Sequence, residues 1–330
     1  MDALPTLSSP GLRLAATLAA AGLGAIWGSF LNVCIARIPR GMSVVRPASH
    51  CFACGRRVSA RDNIPILSYF LLRGRCRRCG AEFSSRYALV EAITAALSAL
   101  VFWTFVVDAP GEPLGIRTAR FATYFAFAAV LVVLSFIDLD TKRLPDIITL
   151  PAIAVFFLAG FAIHEVPWSE RALGAAAGYL LVRLVGDGYY YATGREGLGL
   201  GDGKLLAIMG ALFGWKSIPA IVLLASLTGI LVSVPVLVIR RRRAAVAQSA
   251  VPPSTAAESL QASQPPAPPT GASGPTATQP APRASRAPSP SASIRRAEVP
   301  FGPFLAASAL AYLFLGKPAW ALLMRTLTGE

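Results

Sequence analysis

Leu14–Ala36 reads LAATLAAAGLGAIWGSFLNVCIA, twenty-three residues without a formal charge. An α-helix needs about 17–25 apolar residues to cross a bilayer, so this stretch reads as a membrane span. Others follow it. Tyr87–Val107 carries one acid, Glu91, near its start, while Phe121–Ile137 and Ile147–Ile163 are uncharged. Ala172–Tyr189 holds Arg183 and Asp187, Leu205–Gly214 is short, and Ser217–Ile239 and Phe301–Gly316 bring the candidate spans to eight. Met1–Gly11 contains no Lys or Arg, so a cleaved signal peptide with a basic start is not expected and the first span stays as a helix.

Composition points the same way. Of 330 residues, 54% are hydrophobic and 15% charged, with a mean hydropathy of +0.56. A soluble domain carries about 25% charged residues. A soluble globular enzyme, a coiled coil, a collagen-like chain and a disulfide-rich secreted domain are thereby excluded.

The formal net charge of +14 is unevenly placed, with 19 of the 31 Lys and Arg residues lying in Arg37–Arg86 and Arg240–Pro300. Basic loops mark the cytoplasmic face of a membrane protein. With eight spans, both segments and the short loops Asp138–Asp146 and Val185–Lys204 fall on one face. That face is expected to be cytoplasmic, with both termini outside. The charge then serves topology and attraction to anionic membrane lipid, and no nucleic-acid partner is expected. Ala244–Glu298 is rich in Ala, Pro and Ser, with eleven prolines between Pro252 and Pro290. Such a composition cannot bury enough surface to offset chain entropy, so 240–299 is expected to be a disordered cytoplasmic insertion.

Four of the five cysteines form a pattern, Cys51-Phe-Ala-Cys54 and, after 21 residues, Cys76-Arg-Arg-Cys79. Each Cys-x-x-Cys turn aims two thiolates at one point, and the intervening loop lets the second pair complete a tetrahedron, the layout of a structural zinc site. Gly55 and Gly80 follow the knuckles where a positive φ is often needed. Cys34 lies within the first span and reads as a small buried apolar residue. The expected fold class is an all-α integral membrane protein of about eight transmembrane helices, with a small cytoplasmic zinc-knuckle domain between the first two. Its parts are 1–36 (first span), 37–86 (zinc loop), 87–239 (six-helix core), 240–299 (insertion) and 300–330 (last span).

Acids near the ends of membrane helices are functional candidates. One group is Asp138-Leu-Asp140-Thr-Lys-Arg-Leu-Pro145-Asp146, and the other is Gly199-Leu-Gly201-Asp202-Gly203-Lys204. Asp138 and Asp140 are two apart, so on a helix they diverge. Asp138 and Asp202 can meet if the third and sixth spans are neighbours. Two carboxylates sharing a proton hydrolyse peptides without metal, one activating water and the other polarising the carbonyl. Read more plainly, the acids make interfacial salt bridges with Lys142, Arg143 and Lys204, and Glu91, Arg183 and Asp187 form an internal ion pair of the bundle.

Together these residues resemble the bacterial prepilin peptidases, membrane aspartic proteases of the GxGD type. The resemblance rests on Gly28-Ser-Phe-Leu-Asn-Val33, the cysteine knuckles, Asn63-Ile-Pro65, Cys76–Tyr87 with Glu91, Asp138 followed by Leu144-Pro-Asp146, Gly199-Leu-Gly201-Asp202, and Pro300-Phe-Gly-Pro-Phe304. It implies a catalytic pair at Asp138 and Asp202, with Gly199, Gly201, Gly203 and Lys204 as the supporting loop. It also implies cleavage of the leader from type IV prepilin or type II pseudopilin precursors after a glycine, at the cytoplasmic face of the bacterial inner membrane. S-adenosylmethionine-dependent N-methylation of the new terminus is implied with it, though no cofactor residues can be assigned. Phe52 departs from the family's usual Pro, and the Pro-rich insertion is atypical. By helix-end position, Asp202 at a helix N-terminus is expected to be the ionised base and Asp138 at a C-terminus the protonated acid. A proton-coupled transporter using Asp138, Asp187 and Asp202, or a non-enzymatic zinc-bearing scaffold, are the alternatives.

Overall fold

In the computed structural model, residues 9–109, 111–194, 199–249 and 300–328 are described. Eight helices occupy the eight expected positions: α1 (Pro10–Arg37), α2 (Arg86–Phe102), α3 (Leu114–Thr141), α4 (Asp146–Ile163), α5 (Trp168–Thr193), α6 (Leu200–Phe213), α7 (Ser217–Ser249) and α8 (Gly302–Thr328). Among the described residues there is no strand, only the bridges His50–Arg57 and Arg75–Glu82.

Helix ends follow local chemistry. The Ser9 hydroxyl accepts the Leu12 N–H at 3.2 Å and Pro10 opens α1, where a missing N–H costs nothing. α3 ends on Lys142 in the left-handed region, its N–H returned to the Asp138 carbonyl. Extended Pro145 then restarts the chain as α4.

Five helices are long and apolar enough to cross a membrane. α6 is not among them. Its 14 residues rise about 21 Å, against a hydrocarbon core of about 30 Å. Yet Leu205–Leu212 are all buried, because α4, α5 and α8 surround this helix. A helix sheathed by protein need not match the lipid thickness. α5 carries Glu170, Arg171, Arg183 and Asp187, and the described apolar part of α8 covers Gly302–Gly316.

Small residues allow the closest packing. A Cβ on Gly24 or Gly28 would strike Ser98, Thr94 and the Glu91 backbone, and one on Gly174 would strike the Gly210 carbonyl. Lipid offers no hydrophobic drive between helices, so such close backbone approach is what holds membrane pairs together. The pairs α1/α2 and α5/α6 are built this way. Ser98 adds a buried bond to the Ala20 carbonyl at 2.7 Å.

The chain divides into two compact units, Met1–Thr228 with Pro300–Glu330, and Gly229–Val299. In the second, α7 continues to Ser249, so the helix runs ten residues into the segment 240–299 expected to be disordered, which corrects that expectation over 240–249. The remainder of that segment, 250–299, lies outside the described residues.

Candidate functional site

The cysteine knuckles are two copies of one turn. The Gly55 N–H donates to the Cys51 carbonyl at 2.8 Å and the Gly80 N–H to the Cys76 carbonyl at 2.9 Å. Gly55 and Gly80 have φ of +69° and +72°, the positive values expected of them. The Cys51 N–H closes on the Arg56 carbonyl and the Cys76 N–H on the Ala81 carbonyl. All four sulfurs lie within 4.8 Å of one another. A Zn–S bond of about 2.3 Å places tetrahedral sulfurs about 3.8 Å apart, and Cys51 and Cys79 Sγ are 3.7 Å apart. The Cys51 thiol is lowered by the N–H groups of Cys54 and Ala53, and the Cys76 thiol by that of Cys79. Cys79 is pushed up to about 11: the Ala81 N–H works the other way, and desolvation and the neighbouring thiols outweigh it. Four adjacent thiols ionise together only around a cation. The donor set fits a metal ion.

The aspartates are assembled from three helices. Asp138 stands at the end of α3 and is buried; Asp202 stands in the first turn of α6. They are close enough for their charges to interact. Phe213 of α6 packs edge-on against Phe127 of α3 at 5.2 Å and beside Tyr124, and α8 touches both helices. The third and sixth spans are therefore joined, as the pairing of Asp138 with Asp202 required.

The two motifs interlock. A Cβ on Gly201 would lie 3.2 Å from Leu144, so Gly201 is where the Leu144-Pro-Asp146 turn seats. Lys204 pairs with Asp146, not with Asp202. Gly203 meets Tyr179 and Val182 of α5, whereas Gly199 has only the Asp202 carboxylate near it. Asp140 pairs with Arg86 of α2 at 2.6 Å, and Arg86 also reaches the Phe136 carbonyl and ring. Of the salt bridges expected, Lys204 engages Asp146 rather than either paired aspartate, while the charge of Lys142 lies near Asp138.

What helix-end reasoning missed is α8. The Gly302 N–H donates to Asp138 Oδ2 at 3.1 Å, and a Cβ on Gly302 would sit 2.6 Å from that oxygen. Asp138 therefore meets the N-terminus of α8 as well as the C-terminus of α3. The Pro300-Phe-Gly-Pro-Phe304 run marked this place in the sequence, but not its contact. The internal ion pair is also corrected. Arg183 and Asp187 pair with each other at 2.8 Å, one turn apart on α5 and both nearly half exposed. Glu91 lies elsewhere, its Oε2 accepting the Ile66 N–H at 2.7 Å.

Comparison with known proteins follows this geometry. Residues 23–105 match the model of the bacterial peptidase A24 N-terminal domain, and residues 125–234 that of the type IV leader peptidase family. A protein of Aeromonas salmonicida named prepilin leader peptidase/N-methyltransferase is 37% identical over 238 residues, covering 64% of this chain and 78% of its own. Proteins of the same name from Klebsiella pneumoniae (39% identical; 62% of this chain, 87% of the relative) and Neisseria gonorrhoeae (34%; 73% and 88%) are similar too. No solved structure matches. The first model spans the knuckles and α1/α2, and the second spans both aspartates. With relatives this similar over more than two thirds of their length, the chain belongs to the type IV leader peptidase family.

Proposed function

We propose that this multi-pass inner-membrane protein is a prepilin leader peptidase and N-methyltransferase, with Asp138 and Asp202 as the hydrolytic pair. The carrying observation is that Asp138 and Asp202, 64 apart in sequence, lie close enough for their charges to interact, with the Gly302 amide donating to Asp138. Because that amide donates to Oδ2, this oxygen keeps a lone pair, and the proton shared by the pair resides on another oxygen. The Gly302 amide and the N-terminal end of α8 both favour negative charge on Asp138, which in this proposal makes Asp138 the base and Asp202 the acid. This reverses the assignment made from helix ends alone. Asp138 takes a proton from water, the water oxygen adds to the carbonyl carbon of the leader's final glycine, and Asp202 gives its proton to that carbonyl oxygen. Collapse returns a proton to the leaving nitrogen and frees a new α-amine. Gly201 and the Lys204–Asp146 pair hold the turn that carries Asp202 against the one following Asp138.

Cys51, Cys54, Cys76 and Cys79 would hold zinc, which supplies a fold-stabilising tetrahedral link and no chemistry at the aspartates. The basic loops support a cytoplasmic position for the knuckles, with both termini outside. The substrates are prepilin or pseudopilin precursors presented by membrane lipid. A proton-coupled transporter and a scaffold, both open from the residues alone, give no reason for a paired carboxylate with its own amide donor. The test is incubation in detergent with a prepilin peptide, followed by mass spectrometry. Loss of the leader and a gain of one methyl on the new terminus are expected, and an unchanged peptide would refute the reading.

A further inference from the structure

A cavity of about 860 Å³ lies between α1, α2 and the knuckle domain, and the other cavity described is about 30 Å³. Cofactor sites occupy about 300–1,000 Å³, so the first is large enough for a nucleoside-sized methyl donor. Asp140, two residues beyond Asp138, lines its wall with Arg86. Three carboxylates face it, Asp62, Glu91 and Asp140. Asp62 is paired with Arg77 at 2.7 Å and Asp140 with Arg86. Glu91 has no cationic partner among the described residues; the Ile66 N–H and Ser29 are its neighbours. It lies five residues beyond Arg86 on α2, about 7.5 Å along the helix.

The chain spends strain at this point. Ile66 has φ +62° and ψ −55°, and the Leu67 N–H closes on the Pro65 carbonyl at 2.6 Å. That is a γ-turn of positive φ, costly for a β-branched residue. Strain of this kind persists where surrounding structure enforces it, commonly at ligand sites. Here the Glu91 carboxylate holds the turn against the cavity.

We propose that this cavity is the methyl-transfer site and that Glu91 is its base. The inference rests on the bifunctional reading above. The amine released by cleavage takes up a proton at neutral pH and becomes an ammonium, which has no lone pair to offer. Glu91 removes one proton from it. The freed lone pair forms the N–C bond to the methyl, and the electron pair of the breaking C–S bond stays on sulfur. The products are a methylammonium, a neutral thioether and a protonated Glu91, so charge balances.

The full-length protein in detergent is irradiated with radiolabelled S-adenosylmethionine, digested and mapped. Label is expected on peptides between Ser29 and Glu91, competed away by S-adenosylhomocysteine; label confined to α4–α7 overturns the placement. Glu91→Gln keeps an oxygen for the Ile66 N–H. It should retain leader cleavage within about threefold and labelling by the cofactor, while methylation falls at least about 10²-fold. Normal methylation by this variant, or loss of cleavage along with methylation, overturns the role of Glu91. A wild-type chain that cleaves and never methylates would instead sink the bifunctional reading itself.

Discussion

The knuckle domain and the aspartate site are put together in opposite ways. Each knuckle is complete within five residues, with a thiol pair, a carbonyl and a left-handed glycine, and the two copies repeat at an offset of 25 from Cys51 to Cys76. The aspartate site is complete nowhere in the sequence. It needs the end of α3, the start of α6 and the start of α8 at once. Local order can be lost locally, whereas a convergent site fails when any of its helices shifts. The lesson is that damage to the first should stay near the first, and small changes at the second should act through geometry.

Removing either carboxylate is the largest test. Asp138→Asn and Asp202→Asn should each reduce leader cleavage by at least about 10²-fold, since an amide serves neither as base nor as acid. Metal content and the protection of 45–85 should not change, because no knuckle residue touches either acid. Activity within about tenfold of wild type in either variant would break the pairing. Infrared titration of each single variant would then identify the carboxylate that carries the shared proton, an assignment kinetics cannot make for a coupled pair.

Gly302→Ala probes convergence without touching an acid. Its Cβ would enter at 2.6 Å from Asp138 Oδ2, so either the carboxylate or α8 must move. A displacement of about 1 Å at a reacting group can cost about 10²-fold. A fall in kcat of about 10- to 100-fold is expected with KM little altered, because the amide positions Asp138 and does not bind the substrate. An equal loss in KM would show that α8 contacts the substrate instead.

Cys51→Ser, or chelation of the metal, should act the other way. Structural zinc contributes apparent binding energies of about 10–16 kcal/mol to small zinc-finger peptides, so the knuckle segment should lose its hydrogen-exchange protection. Protection across α3–α6 should persist, and cleavage should fall less than about tenfold. Elemental analysis of the untreated protein should find about one zinc per chain. Global unfolding on chelation would show that the knuckles and the bundle are one cooperative unit.

The same contrast governs how much could be read before the structure. The knuckles, their glycines and the eight helix positions are short-range facts, encoded as spacing and as uninterrupted apolar length. Asp138 and Asp202 were recognisable as acids at helix ends, and Gly201 and Gly203 as permissive neighbours. Their partners were not. Gly302 carries no side chain to advertise a hydrogen bond, and its amide comes from a helix 164 residues away in the chain. Lys204 sits two residues from Asp202 but pairs with Asp146, because on a helical first turn positions 202 and 204 point to different sides. The burial of the short α6 was equally hidden, since its apolar run marks a helix but not the helices that sheathe it.

The smallest effect belongs to a pair expected inside the bundle and found on its surface. Arg183 and Asp187 are one turn apart on α5, paired at 2.8 Å, with side chains 45% and 46% exposed. Exposed ion pairs at this spacing contribute about 0.3–0.5 kcal/mol, and a long arginine stem can reach toward the headgroups without a partner. Arg183→Ala should therefore leave cleavage within about twofold and thermal stability nearly unchanged. Asp187→Asn should behave alike, since the arginine it releases is not buried. A buried bundle pair would respond differently, with a loss of about 3–5 kcal/mol on removing one partner. A large destabilisation by either substitution would mean that this face of α5 is covered in the membrane, and that the pair stands at a contact with another protein surface.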